Sequence, residues 1–362
     1  MDKKWILIGL DGSPGLGWKR ISNIVKFDDE WENALDFTPA DWIQRGLSTE
    51  LANEMSSRFT ASWVEERVEK MDKKGIQFIS YWDEEYPILM KETNNPPWVL
   101  YAKGDSRLLS TLSVAMVGTR LPTAYGRKVG EMLTEGLCAH GVTIVSGLAK
   151  GIDGVCHEAA LNCAGSTIAV LGTAIDIAYP PEHSSLYRRI AERGLIISEY
   201  PIGTAGHPGL FPQRNRIIAG VTRGTVIVEA DARSGSLITA DRALDANRDI
   251  FAVPGPITSP KSRGCLELLK QGAKIVTDPS DILEEYGLWS QGKKVDMNKG
   301  LTDYELTDEE QRIYHMLEQG TRSFDELMNL SEWDFGLLHS VLLSLIMKKA
   351  VVQLPGSVYK LI

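Results

Sequence analysis

From Ser113 onward the chain alternates short, β-branched apolar runs with longer helical stretches. The runs fall at 113–118, 142–146, 166–171, 194–198, 224–229, 249–253 and 273–276, and most are almost continuously apolar. A strand with one wet face alternates apolar and polar positions. A strand without alternation is buried on both faces, as in a parallel sheet covered by helices on each side. The pattern predicts an α/β class fold in which residues 106–285 form an extended Rossmann-like parallel sheet domain.

The flanks read differently. Residues 1–105 read as a helical domain with a linker, rich in tryptophan (Trp5, Trp18, Trp31, Trp42, Trp63, Trp82, Trp98). Thr38-Pro39-Ala40-Asp41 places a capping Thr before a Pro at the first helical position, which starts a helix. Gly12-Ser13-Pro14-Gly15-Leu16-Gly17 before Trp18 has the look of a helix-hairpin-helix turn, whose amides can hold a phosphate; a plain tight turn in a helical bundle is the other reading. Asn95-Pro96-Pro97-Trp98-Val99-Leu100-Tyr101 reads as an extended linker. Residues 286–304 are polar and aperiodic, a second linker. Over 305–362 come two capping boxes, Thr307-x-x-Glu310 and Ser323-x-x-Glu326, a third helix from near Ser331, and a hairpin joining 351–354 to 358–362 through Pro355-Gly356-Ser357. Three helices and a hairpin spell a winged helix.

Composition narrows the class. With 362 residues, 43% hydrophobic and 24% charged, the chain is long enough for two or three domains, and it has no run able to cross a bilayer. Its start lacks a secretory pattern, so a cytoplasmic location without membrane partners is expected. Cys138, Cys156, Cys163 and Cys265 lack metal-ligand spacing, and no metal or cofactor is expected. The net charge of −9 is unevenly spread: −5 over 1–110, +1 over 111–282 and −5 over 283–362. The middle can therefore present a local basic surface despite the acidic whole.

In open α/β sheets ligands bind outside the carboxyl ends of the strands. Four segments there look specialised. Gly118-Thr119-Arg120 pairs a sharp exit with a planar guanidinium suited to phosphate, a surface salt bridge being the plain alternative. Ser146-Gly147-Leu148-Ala149-Lys150-Gly151-Ile152-Asp153 precedes a helix whose free amides can face an anion. It is neither a dinucleotide fingerprint nor a P-loop, which disfavours the usual NAD or ATP role. Asp153 and His157 share a helical face, read as a cap and a packed neighbour rather than as catalysts. Phe211-Pro212-Gln213-Arg214-Asn215-Arg216 reads as a Pro-defined loop combining a stacking ring with two charges, as single-stranded nucleic acid requires. Ser234-Gly235-Ser236 offers amides and hydroxyls after Glu229-Ala230.

Together with Ile217-Ile218-Ala219-Gly220 and Val253-Pro254-Gly255, these segments closely resemble the DNA-processing protein A (DprA/Smf) family. The resemblance implies a non-enzymatic protein that binds incoming single-stranded DNA in natural transformation, protects it and helps load RecA recombinase. It implies a sterile-alpha-motif-like (SAM-like) N-terminal domain, a C-terminal winged helix, and a homodimer formed through the Rossmann-like domain, here around Leu266 and Leu269. Carried onto this sequence, the contacts would be Arg120, Lys150, Phe211, Arg214 and Arg216, with Gly118, Ser146, Gly147, Gly151, Asn215, Ser234, Gly235 and Ser236 around them. Lysines that some members carry near the Phe-Pro and Tyr-Pro segments are missing, which predicts a shallower salt dependence. The mostly apolar third helix of the acidic tail makes a poor major-groove reader and reads as a protein-contact or regulatory module. A nucleotide phosphoribohydrolase on a related scaffold is the alternative, but its Pro-Gly-Gly-x-Gly-Thr turn with a following glutamate is not present at Ser234–Thr239. A winged-helix duplex-DNA regulator is a third reading, disfavoured by the acidic tail.

Overall fold

The structure is a computed structural model describing residues 2–27, 29–163, 165–288, 306–318, 320–348, 350–354 and 357–361. The chain divides into two units, Met1–Leu288 and Trp289–Ile362.

In the first unit the predicted apolar runs are all strands: β3 (Ser113–Val117), β4 (Thr143–Ser146), β5 (Thr167–Val170), β6 (Leu195–Ser198), β7 (Gly224–Ile227), β8 (Asp249–Ala252) and β9 (Lys274–Ile275). They pair in parallel, and each of β3 to β7 is wholly buried, as the missing alternation required. Two further strands, β1 (Gln77–Ser80) and β2 (Val99–Gly104), precede them and were not anticipated. β2 runs antiparallel to β6, with Tyr101 opposite Ser198, and β1 antiparallel to β2. The nine strands run in the order β1-β2-β6-β5-β4-β3-β7-β8-β9, so the sheet is mixed and mostly parallel. Proline-rich sequence after Asn95 does impose extended backbone, but that backbone satisfies its amides on the open edge of β6 instead of in water.

Helices α1 (Lys3–Asp11), α2 (Trp18–Phe27), α3 (Pro39–Gln44), α4 (Thr49–Arg58) and α5 (Ala61–Asp72) form the N-terminal bundle, followed by the short α6 (Ile88–Lys91). The predicted start of α3 carries its capping box between Thr38 and Asp41. Ile6, Leu7 and Leu10 of α1 share one apolar core with Val99 and Tyr101 of β2 and with Ala169 and Ile196 of the parallel sheet. The bundle is therefore packed on the sheet within one unit. Next in the chain come α7 (Ala124–Ala139), α8 (Ile152–Asn162), α9 (Ser184–Arg193), α10 (Leu210–Gly220), α11 (Gly235–Asp245), α12 (Arg263–Lys270) and α13 (Ser280–Leu283). Leu161 of α8 and Ile190 of α9 join the core shared with the bundle, while α10, α11 and α12 bury Ile217, Ala240 and Leu268 in a second core with Leu100, Ile168 and Ile197. Adjacent strand residues thus feed opposite faces, the two-residue period of a strand.

The second unit contains α14 (Asp308–Glu318), β10 (Arg322–Ser323), α15 (Phe324–Ser331), α16 (Phe335–Met347), β11 (Val351–Leu354) and β12 (Val358–Leu361), with sheet order β10-β12-β11. It is a winged helix around Ile313, Leu327, Leu338, Leu342 and Tyr359. Both capping boxes form: Glu310 Oε2 accepts from the Thr307 amide at 2.8 Å, and Glu326 Oε2 from the Ser323 amide at 2.7 Å. The third helix starts at Phe335, capped by Asp334, four residues beyond the expected Ser331, because Glu332 takes a left-handed conformation (φ 59°) that ends α15. The linker read over 286–304 lies, from 289, outside the described residues, as do turn residues 355 and 356. Among the described residues no helix is long and apolar enough to cross a membrane.

Candidate nucleic-acid interface

β4, β3 and β7 are neighbours in the sheet, so the loops after them meet at one edge. They enclose a cleft of about 380 Å³ lined by Gly118, Arg120, Asp153, Phe211, Asn215 and the Ser234–Ser236 turn, among others. Two glycines set how tightly the loops meet. Gly151 has φ +83°, and a Cβ there would lie 2.2 Å from the Thr119 carbonyl oxygen. At Gly147 a Cβ would lie 2.4 Å from Arg214 Nη2. A side chain at Gly151 would force the loops apart, and one at Gly147 would displace the Arg214 guanidinium.

Arg214 is the buried centre of this edge, only 5% exposed. Its Nη1 donates to the Gly147 carbonyl at 2.7 Å and to the Val170 carbonyl, joining α10 to the ends of β4 and β5. Burial pushes the guanidinium down to about 10, opposed by the neighbouring Asp153. Asp153, buried as well, is pushed up by desolvation, while Arg214 and the amides of Gly147 (3.1 Å) and Ala149 (3.4 Å) hold its charge. The sequence reading of both residues is corrected here. Asp153 is not the helix cap, since Gly151 occupies that position and Asp153 reaches back into the loop. Arg214 has little surface left to give a ligand and acts by holding the loop that forms the cleft.

Arg120 is the opposite case. It is exposed and has no ion-pair partner among the described residues, so the salt-bridge alternative does not occur. Its loop is pinned from behind. The Thr119 amide donates to the Glu229 carbonyl at 2.7 Å, and the Glu229 carboxylate accepts from the Thr123 amide and hydroxyl, both at 2.8 Å. Lys261 Nζ donates to the Leu121 carbonyl. Glu229 is 4% exposed, so this carboxylate works as an internal clamp on the loop that carries Arg120.

The other predicted residues divide. Phe211 and Pro212 line the cleft, but within the first turn of α10, not in a loop; proline is tolerated there because first-turn amides lack helical partners. The Phe211 ring lies 5.0 Å from that of Tyr179, an aromatic pair at the mouth. Asn215 Nδ2 donates to the Gly235 carbonyl at 3.4 Å, tying α10 to the start of α11. Ser234 caps α11, whose N-terminal end opens on the cleft. Ser146 is buried, its hydroxyl donating to the Met116 carbonyl at 2.6 Å. Lys150 is exposed but paired with Glu182 at 2.5 Å. Arg216 leaves the group: it pairs with Glu199, donates to the Asn95 carbonyl at 2.7 Å, and lines a separate, larger cavity. Helical geometry explains this, because two residues along α10 turn a side chain by about 200° from Arg214. His157 packs as expected; the Thr167 hydroxyl, which donates to the Ile144 carbonyl, accepts from its Nδ1 at 2.7 Å. Sequence reasoning missed the clamp by Glu229, since a strand-end glutamate carries no local signal of its partner 106 residues away.

Fold and cleft define an enlarged Rossmann-like binding unit accompanied by a winged helix. The DNA recombination-mediator protein A family matches residues 77–287, more than half of the chain, and the DprA winged helix domain matches 300–357. Protein Smf of Synechocystis sp. is 42% identical over 234 residues, which is 63% of this chain and 59% of that protein. The X-ray structure of DNA processing protein A from Streptococcus pneumoniae superposes with a TM-score of 0.70 at 36% identity, covering 78% of this chain and 97% of that one. The solved structure of DNA processing protein A from Helicobacter pylori, described for its single-stranded DNA binding mode, gives 0.53 at 32% identity over 58% of this chain and 95% of that one. The chain belongs to the DNA-processing protein A (DprA/Smf) family, a family of recombination mediators and not of enzymes.

Proposed function

We propose that this protein binds single-stranded DNA in the cleft at the ends of β3, β4 and β7, protects the strand, and loads RecA recombinase onto it during natural transformation. The observation that carries the reading is Arg120, an exposed guanidinium without a carboxylate partner, held at the mouth of a cleft whose other side is the Phe211–Tyr179 pair. A phosphate on Arg120 and at the N-terminal end of α11, with a base against Phe211, is the combination that single strands need. Lys150 stands at the rim held by Glu182, and reaches a phosphate only where that pair opens. Arg214 acts by positioning. The relative from Helicobacter pylori, described for the same ligand class, supports the reading. A homodimer through α12, which carries Leu266 and Leu269, belongs to the same proposal.

The test is a gel shift with single-stranded and duplex oligonucleotides, followed by RecA filament assembly on strands coated with a single-strand binding protein. Wild type is expected to prefer single strands and to accelerate assembly, and Arg120→Ala to lose both. Equal binding by wild type and Arg120→Ala would overturn the cleft assignment.

A further inference from the structure

A second cavity, about 1110 Å³, opens between the N-terminal bundle and the sheet. It is not isolated from the cleft. On α10, Phe211, Arg214 and Asn215 line the cleft while Gln213 and Arg216 line the cavity. On α11, Ser236 and Thr239 line the cleft while Arg242 and Asp245 line the cavity. The two helices form a ridge with one site on each flank, and Ser236 and Arg242 are only about 9 Å apart along the helix axis.

The cavity wall is aromatic. Trp18 stacks on Trp98 with ring centroids 6.3 Å apart and planes 22° from parallel. Trp98 continues to Trp82 at 5.6 Å, and Trp82 to Trp31 at 5.3 Å. The Trp18 indole N–H donates to the Pro96 carbonyl at 2.6 Å, which fixes the ring's orientation, and the half-buried ring borders the open space. Next to it lie the Gly12–Gly17 turn and Lys19, which is exposed and has no ion-pair partner among the described residues. Arg67, which also lines the cavity, lies 3.9 Å over the Trp63 ring and has no ion-pair partner among the described residues, while Arg216 is neutralised by Glu199 and Arg242 by Asp245.

We infer that this cavity is a second nucleotide subsite, in which a base of the strand held in the cleft crosses the α10–α11 ridge and stacks on Trp18. The inference rests on the cleft reading above. A stacking wall with two cations outside any ion pair, Lys19 and Arg67, suits a base and a phosphate. A free mononucleotide gains little there, because the cavity's own carboxylates occupy two of its arginines. A base already tethered through the cleft arrives at high effective concentration and needs no strong phosphate site.

The probe is a thymidylate oligomer carrying 2-aminopurine at one position, moved along the strand in successive oligomers and bound to the full-length protein. One position is expected to be quenched in the cavity. Trp18→Ala should relieve that quenching and weaken strand binding about tenfold, with Trp18→Phe restoring both. Lys19→Ala, a surface change that leaves the aromatic wall intact, should weaken binding severalfold and keeps the test decisive should Trp18→Ala melt early. Failure of both Trp18→Ala and Lys19→Ala to alter quenching or affinity, while Arg120→Ala weakens binding, overturns the subsite and leaves the cleft standing. Binding indifferent to Arg120→Ala removes the cleft, and the tethered subsite with it. Saturation of the cavity by free dTMP or dGMP as tightly as by the oligomer also overturns the inference, in favour of a mononucleotide site.

Discussion

Arg214 places its Nη1 2.7 Å from the Gly147 carbonyl, in the space that a Cβ on Gly147 would need, so the arginine and the glycine form one unit. A guanidinium so enclosed contributes to the cleft through the fold, whereas exposed Arg120 contributes through contact. Arg120→Ala is expected to cut single-strand affinity about tenfold or more with the melting temperature unchanged. Arg214→Ala should cost about 3–5 kcal/mol of stability, since it strands buried Asp153 and two carbonyls. Denaturant unfolding of both variants beside binding isotherms separates the two roles.

Glu229 offers a way to move Arg120 without touching it. Glu229→Gln keeps the volume and one acceptor but presents an amide N–H₂ to the Thr123 donors, and is expected to weaken strand binding severalfold while lowering stability by about 1–3 kcal/mol. Hydrogen exchange of the Thr119 and Thr123 amides should speed up in the variant. Unchanged exchange together with weaker binding would show that Glu229 does not act through this loop.

Salt dependence reports how many cations are free. With Lys150 and Arg216 paired to Glu182 and Glu199, few phosphates are neutralised, and a shallow slope of log affinity against log salt is expected. Glu182→Gln releases Lys150, so affinity should rise at low salt and the slope steepen by about 0.7. Isotherms at several salt concentrations check this.

His157 predicts a pH effect on stability. Burial, with lesser contributions from His183 and Arg214, pushes it down from the usual 6.5 to about 3, so the folded protein keeps it neutral where the unfolded chain takes up a proton. Its contribution is full above pH 6.5 and is lost as pH falls towards 3. The stability difference between wild type and His157→Gln should shift against wild type by up to about 1.4 kcal/mol per pH unit across that window and be flat above it. Urea denaturation from pH 4 to 8 measures the difference.

The parallel core was legible because seven apolar runs without alternation have one physical explanation. The winged helix was legible from its capping boxes, since Thr307 and Ser323 sit three residues before the glutamates they pair with. What the local sequence did not show is partnership at a distance. Arg214 and Arg216 look alike in the sequence, yet helical rotation sends one beneath the cleft and the other to Glu199. The extended character of 95–101 was visible, but not that this backbone would find the edge of β6. For the cleft, residue types gave the chemistry and the family resemblance gave the ligand; the division between contact and support came only from burial.

The attachment of β1 and β2 to β6 leaves the main sheet edged by the four residues of β1 and the two residues of β9, where Lys274 is held by Asp249 and Glu285. Strand-by-strand growth of the sheet can therefore start only from short strands, and at β9 from one blunted by a charge. Removing the chain up to and including β2 would uncover the buried edge of β6 as well. The strands that follow the helical bundle thus act as the selvedge that keeps the sheet from fraying into its neighbours.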